Sequence, residues 1–312
     1  MSDLDVLTQA LLMTGGDPAV LRDAQTAHLL VSCHRVVSQH EIPGVTILVA
    51  QSPAPVVTGK VVIGKGKSIE KPVHLCFGIP RFSGEQEAKL ELVVEDEAHA
   101  TVFLHSLFPE VKDAAHRMEL SVHVGRGGSL TLREGHFHGP HGWMRVQARS
   151  MVTVEKAGTY TSQFSLVKGK VGNLTRDSVV KVGDHAVADL KATVLGYGED
   201  EVHMIDTVVL SGEGAQSSIQ TVVVVTGDAK ADITALTEAH AQEAEGRMHC
   251  IGLIKDKATA TVSPLAKVFH PLAEVTQKAM VKGVDKTELE SLISWGLVPE
   301  DAIDLVIRGV GR

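Results

Sequence analysis

The chain has 312 residues, of which 44% are hydrophobic, so it is long enough to bury one large core or two ordinary ones. A formal net charge of -8 without a lysine- and arginine-rich run argues against a nucleic-acid-binding protein. No apolar stretch approaches the roughly 20 residues of a transmembrane helix, and the N-terminus has no basic region ahead of an apolar one. We therefore expect a cytoplasmic protein with neither a membrane nor a nucleic acid as partner.

The first segment, residues 1–42, is predicted to be helical. Asp17 is a plausible N-cap and Pro18 fits the first helical position. Apolar residues follow, namely Val20, Leu21, Ala24 and Leu29. Pro43 and Gly44 would end the segment.

Residues 43–268 are predicted to form the core, because short strands rich in Val, Ile, Thr and Leu alternate there with polar turns. Most turns begin about 28 to 30 residues apart, with one half-length step between Leu210 and Val225. The turn segments begin at Val94, Val124, Val154, Val182, Leu210, Val225 and Ile254. This regular spacing favours a β-solenoid, in which each coil buries its apolar face against its neighbours. A β-sandwich is the alternative, although its turns recur at shorter intervals.

Residues 269–312 are predicted to form a C-terminal helical subdomain. Asp285 and Glu288 have capping-box spacing, and Pro299 would begin a second helix. The apolar positions recur at helical spacing, and the ones that would form the exposed faces are Leu289, Leu292, Ile293, Ile303, Val306 and Ile307. These helices would either cap the stack of coils or bind a partner protein.

A histidine cluster in EGHFHGPHGW is a candidate metal site. On a strand, His136 and His138 point to one face, and the Gly139-Pro140 turn would bring His141 back to them. The alternative is that these histidines face solvent or bind backbone groups, since no carboxylate or cysteine motif lies nearby.

The three cysteines are odd in number and far apart, which indicates free thiols in a reducing compartment. Cys33, in the predicted helical segment, and Cys76 have apolar neighbours and are predicted to be small buried residues. Cys250 follows Arg247 and His249, whose charge would favour a reactive thiolate. No nucleophile elbow, zinc-protease motif or dinucleotide fingerprint is present, so we do not expect an enzyme.

Four segments together resemble the SufB/SufD family of SUF-type iron-sulfur cluster assembly scaffolds. They are KSIEKPVHLCFG, EGHFHGPHG, EGRMHCIGLI and DKTELESLISWGLVPEDAIDLVIRGVG. The chain is most similar to the compact SufB-like proteins that occur with an ATPase partner in archaea and some anaerobic bacteria. The ending is the most specific of the four segments.

The resemblance implies a right-handed parallel β-helix that dimerises with itself or with a SufB/SufD paralogue. It implies that the C-terminal helices bind a SufC-like ABC ATPase, in which ATP is hydrolysed. It also implies that Cys250 receives sulfur for a transient iron-sulfur cluster, of the [4Fe-4S] or [2Fe-2S] type.

One departure from the family pattern concerns the second ligand. Family members usually carry His-Glu-Ala after the last coil, whereas Gln277 and Lys278 stand at those positions here, and neither is a good iron ligand. Glu274 or His270 could replace them, or the histidine cluster or a bound thiol could. Alternatively, the chain is a SufD-like structural partner of the ATPase. A β-helix carbohydrate-active enzyme is a further alternative, weakened by the aromatic content of 4%.

Overall fold

The computed structural model describes residues 2–51 and 56–283, which form a stack of β-coils preceded by a short helix. The helix α1 spans Asp3–Leu11, and 3₁₀ turns follow at Leu12–Thr14 and Pro18–Arg22. The strands of the described residues are β1 His28–Ser32, β2 Arg35–His40, β3 Val45–Gln51, β4 Val56–Ile63, β5 Val73–Gly78, β6 Ser83–Val94, β7 His99–Phe108, β8 Asp113–Val124, β9 Ser129–His138, β10 Met144–Val154, β11 Thr159–Lys168, β12 Gly172–Val182, β13 Val187–Gly198, β14 Glu201–Leu210, β15 Gln216–Gly227, β16 Lys230–Ala239, β17 Glu245–Ile254, β18 Thr259–Val268 and β19 Glu274–Gly283.

Two sheets form the walls of the stack. Sheet A has the order β2-β1-β5-β7-β9-β11-β13-β15-β17-β19, and sheet B has the order β3-β4-β6-β8-β10-β12-β14-β16-β18. From β4 onward, consecutive strands alternate between the sheets and each strand pairs in parallel with the strand one coil away. This confirms the predicted β-solenoid and excludes the sandwich.

The predicted turns fall at the junctions between the sheets. Val94, Val124, Val154, Val182 and Leu210 are the last residues of five strands of sheet B. The next two predicted turns begin near the ends of β15 and β17, which belong to sheet A. The half-length step in the sequence therefore marks a change from turns at one edge of the solenoid to turns at the other.

The core lies between the two sheets and follows the alternation of side chains along each strand. In sheet B, Val122, Val152, Val180 and Val208 stand in register on four neighbouring strands, and each is at most 2% exposed. Burying a valine side chain contributes about 1.5 kcal/mol or more. Such rows of branched apolar residues stabilise each coil against the next.

The N-terminal prediction is partly wrong. Asp17 does cap the turn that Pro18 begins, accepting a hydrogen bond of 2.8 Å from the Ala19 backbone N. However, this element is a 3₁₀ turn, and the residues from His28 onward form β1 and β2 rather than helix. The five residues of β1 are all buried because α1 covers one face and the core covers the other. A short run of this kind has no periodicity that separates strand from helix.

The C-terminal boundary also differs from the prediction. Residues 269–283 were predicted to begin a helical subdomain, but they form a turn and the strand β19, which pairs in parallel with β17. The remaining predicted subdomain, including Leu289, Leu292, Ile293, Ile303, Val306 and Ile307, lies outside the described residues. Within the described residues, no helix is long and apolar enough to cross a bilayer.

Candidate functional site

Cys250 points into the solenoid from β17. Its side chain is 0% exposed, and it stands in register with Thr221 on β15 and with Ala279 on β19. The same inner row continues through Ala192 to Phe164 on the preceding coils. Cys250 therefore lies one coil from the end of the described solenoid, in a row of mostly small side chains.

The cationic neighbours of Cys250 in sequence do not activate it. Arg247 and His249 lie at odd positions of β17 and point away from the interior, since successive side chains of a strand face opposite ways. The Arg247 side chain is 77% exposed and lies 3.9 Å from Glu245. Burial, together with a smaller contribution from the negative charge of Asp206, raises the pKa of Cys250 to about 11. The predicted stabilisation of a thiolate by these two residues is therefore wrong, and the thiol is protonated at neutral pH.

Thr221 places a hydroxyl group next to Cys250. Thr221 is 1% exposed, and its Oγ1 has no hydrogen-bond partner among the described residues. Adjacent strands lie about 4.8 Å apart, so two inward side chains in register are direct neighbours. The buried hydroxyls of Ser217 and Thr237 also lack a partner among the described residues. An unmade buried hydrogen bond is costly, so these groups require an explanation.

A buried ionic cluster occupies the middle of the solenoid. The guanidinium of Arg176 donates a hydrogen bond to Asp206 and lies 4.0 Å from the Glu134 carboxylate. Burial disfavours the charge of Arg176, but Asp206 and Glu134 outweigh it and raise the pKa of the guanidinium. Burial also raises the pKa of Glu134, against the opposing effect of Arg176. Glu134 stands in register with Phe164 in the same inner row as Cys250, which places this cluster along the same interior.

The ionic cluster was not predicted, although the sequence contains a signal for it. In β12, Leu174, Arg176, Ser178 and Val180 occupy alternate positions and are all buried. In β14, Asp206 likewise lies between the buried Met204 and Val208 in the inward pattern. Period-two alternation alone places both charged residues inside.

Two histidines of the predicted metal cluster are buried and the third is not. His136 and His138 face the interior from β9, with their ring centroids 5.9 Å apart, whereas His141 lies exposed in the following turn. The third buried histidine of this group is His116 instead of His141. The rings of His116 and His138 each lie 5.1 Å from the Phe108 ring.

Burial lowers the pKa of all three buried imidazoles. The pKa falls to about 4 for His116, to about 3 for His138 and well below its usual value for His136. Several ring nitrogens of these residues lack a hydrogen-bond partner among the described residues. The three side chains are thus neutral at physiological pH.

A second pair of buried histidines connects the 3₁₀ turn after α1 to sheet A. The His105 Nδ1 lies 2.8 Å from the Thr14 Oγ1, and its Nε2 lies 3.1 Å from the His74 Nδ1. Burial lowers the pKa of His74 to about 4 and that of His105 to about 3. This contact was not predicted, because residues 14, 74 and 105 are far apart in sequence.

The proposed alternative ligands do not meet Cys250 within one chain. Glu274 pairs with Glu245, five positions along the strand from Cys250, or about 16 Å away. His270 lies in the turn before β19 and is further still. Gln277 is nearer, since it shares the inward face of β19 with Ala279, and Lys278 pairs with His249 on the outer face. Among residues 2–51 and 56–283, no group of three or more His, Cys, Asp or Glu side chains could hold a metal ion. The described part of a single chain therefore supplies the Cys250 thiol at this position without a complete metal-binding site around it.

The other two cysteines are differently placed. Cys76 is fully buried in β5 beneath α1, as predicted, and burial raises its pKa to about 12. Cys33 is partly exposed in a turn at φ 53° rather than in the predicted helix.

The outer face of sheet B has a pocket of about 1020 Å³. Its lining includes Glu91, Glu119, Asp177, Lys89 and Arg149, and the Lys89 Nζ lies 3.3 Å from the Glu119 carboxylate. Carboxylates and cations are what a sugar-cleaving groove needs, but the described residues that line this pocket include no Trp or Tyr for stacking on sugars.

Comparison with known proteins agrees with the resemblance. The family model for the SufBD core domain of SUF-system iron-sulfur cluster assembly matches residues 83–310. An iron-sulfur cluster assembly SufBD family protein of Methanocaldococcus jannaschii is 25% identical over 308 residues, covering 99% of this chain and 97% of that protein. Another, from Pyrococcus horikoshii, is 25% identical over 284 residues, covering 91% and 86%. A third, from Archaeoglobus fulgidus, is 21% identical and covers 78% and 65%. The chain belongs to the SufBD family of iron-sulfur cluster assembly proteins.

Proposed function

We propose that this chain is a scaffold subunit on which an iron-sulfur cluster is assembled, and that Cys250 accepts the sulfur. The observation that carries the proposal is the position of Cys250, which is inside the solenoid, one coil from its exposed end and beside an unpaired hydroxyl. Membership of the SufBD family supplies the context. The chain itself is not an enzyme in this proposal.

The sulfur-transfer step needs only a persulfide donor. The sulfur of Cys250 attacks the outer sulfur of a donor R–S–SH, a new S–S bond forms on Cys250, and the donor S–S bond breaks. The thiol proton of Cys250 passes to the departing donor sulfur, so the products are Cys250–S–SH and R–SH. Because burial holds this thiol protonated, the transfer requires proton removal together with attack.

The exposed end of the solenoid supports a second subunit as the source of further ligands. Among the described residues, β18 and β19 each pair with one neighbour only, so each sheet ends in an unpaired edge. Exposed apolar side chains gather in this last coil, at Leu265, Val268, Phe269, Leu272 and Val281. Unpaired edges with apolar side chains promote pairing with another chain. In the proposed homodimer, the two ends meet and the cluster forms from groups of both chains.

The ATPase partner is proposed from the sequence of the last residues. The apolar positions Leu289, Leu292, Ile293, Ile303, Val306 and Ile307 suit the helix-in-groove mode of binding. The partner is an ABC-type ATPase that hydrolyses ATP for the assembly. Co-purification with that ATPase should be lost in Ile303→Asp and kept in the control Glu300→Ala, which changes a polar position of the same segment, whereas retention by Ile303→Asp would reject this surface.

Anaerobic reconstitution tests the scaffold. Wild-type protein supplied with ferrous iron and sulfide should develop the visible absorbance of an iron-sulfur chromophore, and Cys250→Ser should not. Cys33→Ser is the matched control, because Cys33 is far from the inner row and should leave the chromophore unchanged. An unchanged spectrum in Cys250→Ser would reject the assignment. ATPase binding without any iron or sulfur uptake by the wild type would favour the SufD-like structural role.

The dimer is tested by mass in solution. The wild type should sediment as twice the chain mass, and Val281→Asp should shift it to the single chain, because a carboxylate placed on the exposed end cannot be buried unpaired. A dimer that survives this change would place the interface elsewhere.

A further inference from the structure

Thr221 combines features that packing alone does not explain. Its side chain faces the interior, is 1% exposed and carries a hydroxyl without a hydrogen-bond partner among the described residues. A valine would fill the same space without that cost, as Val223 does two positions further along the strand. The hydroxyl therefore fits a polar group that the folded chain alone does not provide.

The position of Thr221 identifies that group. It stands in register with Cys250 on the adjacent parallel strand, and both side chains point inward. The neighbours of this pair along the row, Ala192 and Ala279, end at Cβ and have no polar group to offer. A second sulfur atom on Cys250 would thus have Thr221 as its adjacent hydroxyl donor.

A persulfide differs from a thiol in its need for a hydrogen-bond donor. The outer sulfur of a persulfide is more acidic than a thiol, so it carries negative charge more readily, and a buried anion needs a hydrogen-bond donor. A threonine hydroxyl can donate one hydrogen bond after rotating about χ1. Without a donor, the buried persulfide is destabilised relative to the free thiol.

We infer that Thr221 is a positioning residue for the sulfur carried by Cys250, and that its hydroxyl donates a hydrogen bond to the outer sulfur of the Cys250 persulfide. This inference rests on the proposed function, because it requires Cys250 to accept sulfur. The role of Thr221 is then to retain the sulfur on Cys250 until the sulfur is passed on.

The test compares sulfur retention in the full-length chain. Wild type, Thr221→Val and Thr221→Ser are loaded anaerobically with glutathione persulfide, and the occupancy of Cys250 is followed by mass spectrometry after dithiothreitol is added. The half-life of the bound sulfur should be about tenfold shorter in Thr221→Val, the effect of one hydrogen bond to a charged group. Thr221→Ser keeps the hydroxyl and should restore retention.

Thermal unfolding of the unloaded proteins separates this role from a structural one. Thr221→Val removes an unpaired hydroxyl and should raise the Tm while it shortens retention. Thr237→Val is the matched control, because it removes another unpaired buried hydroxyl at a position paired with Val208 and Ala266 rather than with Cys250. It should raise the Tm and leave retention unchanged.

Each result has a definite reading. Unchanged retention in Thr221→Val, with normal loading of the wild type, would overturn this inference alone. Equal loss in Thr221→Val and Thr221→Ser would also overturn it, since serine retains the donor. A wild-type chain that takes no sulfur on Cys250 would overturn the proposed function together with this inference.

Discussion

The two halves of the solenoid bury different polar groups. The N-terminal half buries six imidazoles, those of His28, His74, His105, His116, His136 and His138. Among the described residues, the C-terminal half buries no imidazole, and its buried polar groups include the Cys250 thiol, the Asp206 carboxylate and unpaired hydroxyls. At the N-terminal end the two sheets are joined by side chains, because Gln39 donates to the Ile47 backbone O and Glu41 accepts from the Ile47 N. The C-terminal end has unpaired edges within the described residues. In the proposed function, the first half stabilises the solenoid and the second half receives the sulfur and contacts the partners.

Acidification should produce the largest difference in stability between the two halves. Five of these imidazoles, all except that of His28, are neutral in the folded state because burial lowers their pKa well below the usual value, to about 4 for His74 and His116 and to about 3 for His105 and His138. In the unfolded chain they titrate near pH 6.5. Below that pH the unfolded state binds more protons, so stability is fully present above pH 6.5 and is lost as the pH falls toward the folded-state pKa values.

From pH 7.5 to 5.5, each such histidine should cost about 1.4 kcal/mol of unfolding free energy, and the five together on the order of 7 kcal/mol. Urea denaturation at both pH values measures the loss. Hydrogen exchange should show the loosening first in residues 28–138. His138→Phe removes one of the titrating groups and should reduce the loss by about 1.4 kcal/mol, and an unchanged loss would contradict the assignment.

Removal of one charge from the ionic cluster, which lies at the junction of the halves, should have the next largest effect on the free energy of unfolding. Arg176→Met leaves Asp206 buried without its partner and should lower the unfolding free energy by about 3 to 5 kcal/mol at pH 7.5. The double variant Arg176→Met with Asp206→Leu should recover most of that loss. Urea denaturation of both variants checks this, and equal stability of wild type and Arg176→Met would show that the cluster is solvated.

Removal of an unpaired hydroxyl in the C-terminal half should have the smallest effect on the free energy of unfolding. Thr237→Val should stabilise the protein by about 1 kcal/mol, because it removes a buried polar group that lacks a partner at little change of shape. Thr207→Val, on the outer face of β14, is the control and should change stability by less than about 0.5 kcal/mol. Destabilisation by Thr237→Val would mean that a bound water already satisfies this hydroxyl.

Much of the fold could be predicted from the sequence, because the turn spacing is a property of each coil. Val94, Val124 and Val154 recur at the same place in successive coils, and the structure confirms them as strand ends. The helical prediction for His28–Ser32 failed because burial on both faces removes the alternation that marks a strand. The predicted strand region ended at 268 because the exposed final coil has a weak inward pattern.

The site was less predictable, since its contacts join distant coils. Cys250 stays a predicted site residue, but its activation by Arg247 and His249 was inferred from neighbours in sequence whose side chains point away from it. Thr221 lies 29 residues before Cys250, one coil away, and only the register of β15 and β17 brings the two together. His116 replaced His141 beside His138 for the same reason.

The most direct test of the account is to find which cysteine carries sulfur. The full-length protein, loaded anaerobically with glutathione persulfide and digested with protease, should carry one extra sulfur atom on the peptide that contains Cys250. The peptides of Cys33 and Cys76 should carry none, because Cys76 is sealed beneath α1 and Cys33 lies outside the inner row. Sulfur on Cys33 with none on Cys250 would contradict the central claim.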